Sequence, residues 1–253
     1  MKTPIKLFML MSMTVCMIAC NDQAKKTETE SIETPLTKIP EENVLVEKVL
    51  TAEEQAELTP DQVIKLFKEG NQRFVNNDLT ARDHSAQVRK STKAQFPKAI
   101  VLSCVDSRVP VEDVLDRGIG DIFVARVAGN FVNEDILGSM EFACKVSGSK
   151  LILVMGHEYC GAVKAAIDDV KLGNITNMLA KIRPAIEMTD YTGDRSSGNP
   201  EFVHLVCKSN VKNNISQIRE RSPILKEMQD KGEIKILGAV YDMDTGKIAF
   251  LEN

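Results

Sequence analysis

Two short runs carry the chemistry of this chain, and each follows an apolar stretch. Cys104-Val105-Asp106-Ser107-Arg108 is entered through Ala99-Ile100-Val101-Leu102, and Gly156-His157-Glu158-Tyr159-Cys160-Gly161 through Leu151-Ile152-Leu153-Val154. Together they offer the thiolates of Cys104 and Cys160 and the imidazole of His157. That is the donor set of a catalytic Cys₂His zinc site, where three protein ligands leave one position for water or substrate. Zn²⁺ lowers the pKa of its bound water from 15.7 to about 7 in well-studied hydrating sites. Two thiolates neutralise the ion's charge, so this site needs help to reach that value. Asp106 stands beside one ligand, with Arg108 two residues on, and a paired carboxylate there supplies such help. The pattern points to hydration or hydrolysis. A closed structural site of Cys104, His157, Cys160 and Asp106 is the competing reading, because structural zinc is four-coordinate. Asp106 with Arg108 would then only fix a loop.

The elements that position these groups follow from patterning. Ala99–Leu102, Ile122–Ala125 and 150–155 are continuous apolar runs, as in strands buried on both faces. A fourth strand spans Ile234–Tyr241, and Asp244-Thr245-Gly246 turns into an edge strand over 247–251. Thr59-Pro60-Asp61-Gln62 is a helix start with a capping residue, Pro at the first position and Gln three residues later. Val63, Leu66, Phe67 and Phe74 continue that helix on one face. Ala81–Ala94 is polar and reads as a helical arm or a loop. Further helices are expected over 135–146, 161–172, 174–188 and 201–220, with a short one from Ser222-Pro223. Strands alternating with helices predict one α/β domain, a mainly parallel central sheet flanked by helices, with an N-terminal helical arm and a C-terminal edge strand. In open α/β sheets, sites form beyond the carboxyl ends of strands. Cys104 and His157 both lie just past such an end, so two neighbouring strands would bring them together.

The chain has 253 residues, 43% hydrophobic and 27% charged, enough for one sizeable core. A formal charge of −4, no long basic run and no Trp argue against nucleic-acid binding. Lys2 and Lys6 precede a short apolar segment, Leu7–Ala19, that ends in Met17-Ile18-Ala19-Cys20. This is the form of a bacterial lipoprotein signal, so residues 1–19 are expected to be removed and Cys20 lipidated. An ordinary cleaved signal is the alternative. Residues 20–50 lack an apolar period and read as a flexible tether, and 51–253 as the catalytic domain. The expected location is outside the cytoplasm, anchored to a bacterial membrane and facing the periplasm. Cys144 and Cys207 lie in apolar helical stretches and read as small buried hydrophobes rather than a bridge. His204 reads as a packing or surface residue; His84, on the arm, is a candidate proton shuttle.

Cys-x-Asp-Ser-Arg followed by Gly-His-x-x-Cys-Gly resembles the β-class carbonic anhydrases. The resemblance extends from about Val63 to the C-terminus. It includes Asn71-Gln72-Arg73-Phe74, Gly120 to Arg126, Ala128-Gly129-Asn130, Ser139 to Ala143 and Gly238-Ala239-Val240-Tyr241-Asp242. It implies a zinc enzyme that interconverts carbon dioxide and bicarbonate, built as a homodimer or a dimer of dimers. Carried over, the zinc ligands are Cys104, His157 and Cys160, and the catalytic pair is Asp106 and Arg108. In a closed form Asp106 becomes the fourth ligand. Gln95 resembles the substrate-binding glutamine of the plant-like branch, Phe123 and Phe142 match residues lining its pocket, and Gly161 lets substrate approach the backbone. Val101 stands where the branch with a non-catalytic bicarbonate site has Trp. Val127 replaces a frequent Asn, and Val105 a common Ser. A related zinc hydrolase acting on carbon disulfide or carbonyl sulfide, and a non-catalytic zinc-stabilised scaffold, are the other functions weighed.

Overall fold

The computed structural model describes residues 48–251; the expected signal, Cys20 and nearly all of the tether lie outside them. Five strands, β1 (Ala99–Ser103), β2 (Ile122–Arg126), β3 (Leu151–His157), β4 (Lys235–Tyr241) and β5 (Ile248–Phe250), form one sheet in the order β2-β1-β3-β4-β5. The first four run parallel and β5 is antiparallel to β4. Parallel strands need long crossovers, and helices supply them. These are α1 (Ala52–Glu57), α2 (Pro60–Val75), α3 (His84–Ser91), α4 (Val111–Val114), α5 (Glu134–Glu141), α6 (Gly161–Ile167), α7 (Gly173–Leu179), α8 (Arg183–Met188), α9 (Pro200–Arg221) and α10 (Pro223–Asp230). The architecture is the expected α/β one.

Alternate strand residues serve opposite faces of the sheet. Ile100, Leu102, Ile152 and Val154 pack against Met140 of α5, Val211, Ile215 and Ile218 of α9 and Leu225 of α10. Ala99, Val101, Leu151, Leu153 and Met155 pack against Val63 and Phe67 of α2 and Val114 of α4. Each of these side chains but that of Ala99 contributes about 1.5–3 kcal/mol relative to exposure. The sheet is therefore clamped on both faces, which fixes the height of its strand ends.

Several elements differ from expectation. β2 is only half-buried, because it is the edge of the sheet and, among the described residues, one flank has no strand beside it. The helix expected over 135–146 runs as α5 and then widens into a π turn over Phe142–Val146. The helix expected over 174–188 is broken into α7 and α8, since Pro184 lacks an N–H and its ring collides with the carbonyl four residues back. Helix α6 stops at Ile167, ahead of Asp169 in the left-handed region at φ 52°. Helix α1 went unforeseen, although Thr51 and Glu54 form a full capping box.

Asp116, wholly buried just after α4, ties the arm to the sheet. Its carboxylate accepts from Arg73 of α2, from Arg82 just before α3, and from the Thr80 backbone N–H (3.1 Å) and hydroxyl (2.6 Å). Burial pushes its pKa up, but Thr80, Arg73 and Arg82 outweigh that and hold it at about 2. Asp116→Asn leaves Arg82 buried without its counter-charge and should cost about 3–5 kcal/mol, measured by urea unfolding. A depressed pKa contributes stability above the unfolded value near 3.9, lost as pH falls toward about 2. The variant's stability should therefore vary less than the wild type's between pH 4 and 2; an unchanged midpoint at pH 7 would contradict this role.

Candidate metal centre

The register of the sheet sets the site. Leu102 of β1 pairs with Val154 of β3, so Cys104 and His157 leave adjacent strands two and three residues beyond one level. Neighbouring strands are about 4.8 Å apart, close enough for both side chains to reach one point. The chain then turns back through Tyr159, a non-glycine residue in the left-handed region (φ 54°), and delivers Cys160 as the residue preceding α6. The Glu158 N–H donates to the Tyr241 carbonyl at 3.0 Å, and the Tyr159 hydroxyl to Asp244 at 2.9 Å, which hold the turn. The sulfurs of Cys104 and Cys160 and a ring nitrogen of His157 lie within 4.8 Å of one another. All three residues are buried, at 4%, 1% and 1% exposure.

The imidazole has one committed nitrogen. Nδ1 is 2.8 Å from the Glu158 carbonyl, which can only accept, so Nδ1 carries the proton. Nε2 is buried with no hydrogen-bond partner, and its lone pair faces the centre. Orphaned buried acceptors are costly, and a metal ion is the partner that this donor set fits. Cys104 receives the Gly129 N–H at 3.3 Å. The neighbouring Cys160 thiol, with weaker help from the Gly129 N–H, brings its pKa down to about 4, while the Cys160 thiol is itself pushed up. A divalent ion would let both sulfurs ionise.

Beside this centre Asp106 and Arg108 form a two-pronged pair, Nε to Oδ1 at 2.9 Å and Nη2 to Oδ2 at 2.8 Å, with the Arg108 N–H also on Oδ1 at 3.0 Å. These bonds hold the Asp106 carboxyl well below the usual carboxylate range. Its Oδ2 lies 3.8 Å from His157 Nε2. Arg126, at the end of β2, donates to the carbonyls of Cys104 (2.8 Å) and Asp106 (2.6 Å), which sequence reasoning did not single out. Gly161 opens α6 with free space where a Cβ would stand.

Other expected site residues lie elsewhere in the single chain. Gln95 precedes β1 and lines a groove with Ser91, Lys93, Ile119 and Gly120 at the amino ends of the strands, opposite the thiolates. Phe123 is three residues upstream of Arg126 on β2, about 10 Å along the strand, and meets Phe142 edge-on at 6.0 Å. Both line an open groove of about 760 Å³ with Ile100, Val124 and Ile136. His84 begins α3 on the arm, and His204 Nδ1 sits 3.0 Å from Glu158. Cys144 and Cys207 are free and buried, with pKa values pushed up to about 12 by burial. An acidic cluster, Glu158, Asp242 and Asp244, flanks the turn.

Residues 99–248 match the profile of the family described as carbonic anhydrase. The chain is 33% identical over 190 residues to a carbonic anhydrase of Mycolicibacterium smegmatis, covering 73% of this chain and 89% of that protein. It is 34% identical over 189 residues to carbonic anhydrase 2 of Mycobacterium tuberculosis, covering 72% and 88%. Among solved structures, one of two tetrameric β-carbonic anhydrases of Sordaria macrospora superposes with a TM-score of 0.58 at 23% identity, covering 67% of this chain and 91% of that one. The Coccomyxa β-carbonic anhydrase bound to acetazolamide gives 0.59 at 22%, covering 75% and 85%.

Proposed function

Since this chain belongs to the carbonic anhydrase family and has its β-class fold, we propose that Cys104, His157 and Cys160 hold a zinc ion served by Asp106 and Arg108. The enzyme converts carbon dioxide and water reversibly to bicarbonate and a proton. One observation carries the metal assignment: a buried, unpartnered His157 Nε2 facing two buried sulfurs. When bound, Zn²⁺ supplies a Lewis-acid centre that acidifies water into the neutral range.

The chain's own groups do the rest. Arg108 keeps Asp106 ionised and its orientation fixed, so Asp106 would accept a hydrogen bond from a water beside the two sulfurs and orient that water toward substrate. Arg126 pins the backbone on both sides of Val105, which holds Cys104 and Asp106 at a constant spacing. Gly161 leaves room for a small nonpolar gas beside Cys160. A hydration assay with matched zinc analysis at pH 7 and 8.5 tests the reading. One zinc per chain and faster turnover at pH 8.5 are expected; zinc-loaded protein inert at pH 8.5 would overturn it.

Gln95, Phe123 and Phe142 serve substrate across an interface with a second copy of the chain. Three observations support this: the half-buried β2 edge, the apolar groove beside it and the half-exposed Phe142. Sheet edges left open are templates for association. Phe142→Glu should shift the protein to monomers in sedimentation and reduce turnover; an unchanged assembly would refute the interface. The sequence Met17-Ile18-Ala19-Cys20 supports export and lipidation at Cys20, with the enzyme facing the periplasm. Cys20→Ser should then move it from the membrane to the soluble fraction, and no movement would count against the anchor.

A further inference from the structure

A 22-residue helix on the core face of the sheet carries two buried amides among its apolar residues. Asn210 and Asn214 of α9 are 0% and 2% exposed, flanked by Val206, Val211, Ile215 and Ile218. An amide removed from water costs free energy unless its hydrogen bonds are replaced. Here they are, and one path among them runs to Cys104. The Asn214 amide donates to the Asn210 carbonyl at 2.8 Å and to its side-chain oxygen at 3.1 Å. Its own oxygen accepts the Val132 N–H at 2.7 Å. Asn210 Nδ2 donates to the Gly129 carbonyl at 2.8 Å, and the Gly129 N–H donates to Cys104 Sγ at 3.3 Å.

The loop 127–132 is thus held from two sides. The Val127 N–H bonds the Ser103 carbonyl at 3.1 Å, and α9 grips Gly129 and Val132. The loop's conformation needs that grip: Gly129 is at φ 81° and Asn130 at 40°. A Cβ on Gly129 would also stand 2.4 Å from Ile182 Cδ1. Without Asn210 and Asn214, no hydrogen bond from α9 among the described residues holds the 129–130 peptide, which meets at the Gly129 Cα the 128–129 peptide whose N–H aims at the sulfur.

We propose that Asn210 and Asn214 are positioning residues that act through the 127–132 loop to hold the Gly129 N–H on the Cys104 sulfur, and so tune Cys104 as a metal ligand. This rests on the reading of Cys104 as a ligand. A donor to a ligating sulfur orients it and stabilises its negative charge, and losing such an outer partner typically lowers metal affinity 10–100-fold.

The test uses the full chain with Asn210→Leu, Asn214→Leu and a milder Asn210→Ser that loses the reach to Gly129. Ile218→Val, at a wholly buried position further along α9, is the control for core disruption alone. Zn²⁺ affinity is measured by chelator competition, unfolding by urea, and the Co²⁺-loaded form by absorption. Roughly tenfold or greater loss of Zn²⁺ affinity is expected for the asparagine variants. Their sulfur-to-cobalt band should move to longer wavelength, because a thiolate without its N–H donor gives up electron density more readily. Ile218→Val should change unfolding alone. If Asn210→Leu fails to fold, Asn210→Ser decides by the same two readouts. Wild-type affinity and band position in a folded asparagine variant would overturn the inference; a wild type that binds no Zn²⁺ would overturn the metal reading beneath it.

Discussion

Cys160→Ser should leave a folded protein without stoichiometric zinc and without measurable carbon dioxide hydration. A serine hydroxyl does not ionise at neutral pH, so the centre would keep one thiolate and one imidazole. Cys160 is 1% exposed, which leaves little room for water to take its place. Affinity should fall by more than the 10–100-fold that loss of an outer hydrogen-bond partner costs. The sheet core does not depend on this sulfur, since Cys160 packs in a separate cluster with Val163, Leu179, Ile182 and Phe202. Elemental analysis of purified protein, with circular dichroism for folding, checks the outcome. One zinc per chain in a folded Cys160→Ser protein would remove the sulfur from the ligand set.

Asp106→Ala divides the catalytic reading from a structural one. The variant should retain zinc and lose about 10²–10⁴-fold in kcat, the range attributed to a positioned proton-transfer or hydrogen-bonding group. Asp106 lies outside the cluster of the two sulfurs and the ring nitrogen, with Oδ2 3.8 Å from His157 Nε2 and both oxygens engaged by Arg108. The sign of its pKa shift adds a second check. Arg108 depresses it, so Asp106 is ionised throughout the neutral range. A rise in turnover between pH 7 and 8.5 therefore cannot come from its ionisation, and the residual activity of Asp106→Ala should keep the wild-type pH dependence. Loss of zinc with turnover per bound zinc intact would instead make Asp106 a fourth ligand of a closed site.

The residues differ in how far their sequence context exposes them. Strands β1 and β3 are legible because both faces are buried, which produces unbroken apolar runs ending at Cys104 and His157. The proposed metal donors are legible because thiolates and imidazole at those ends have few other uses. The break between α7 and α8 was written in Pro184, a signal outweighed by apolar periodicity. Asn210 and Asn214 escaped notice because an amide in an amphipathic helix reads as a solvent-facing residue; only the loop packed against it reveals the opposite. Gln95 came from resemblance alone. Its place before β1, with Cys104 after that strand, already puts a strand's length between them.

The centre joins the tips of two neighbouring parallel strands, with the crossover through β2 and α5 lying between them in the chain. Neither sequence run holds all three donors by itself: Cys104 offers one sulfur, and the His157–Cys160 turn two donors. Tight capture of an ion therefore has to wait until β1 and β3 have zipped together, and afterwards the ion rivets those tips. Under the export proposed above, a chain that crossed the membrane unfolded would be loaded in its destination compartment, limited by the metal available there.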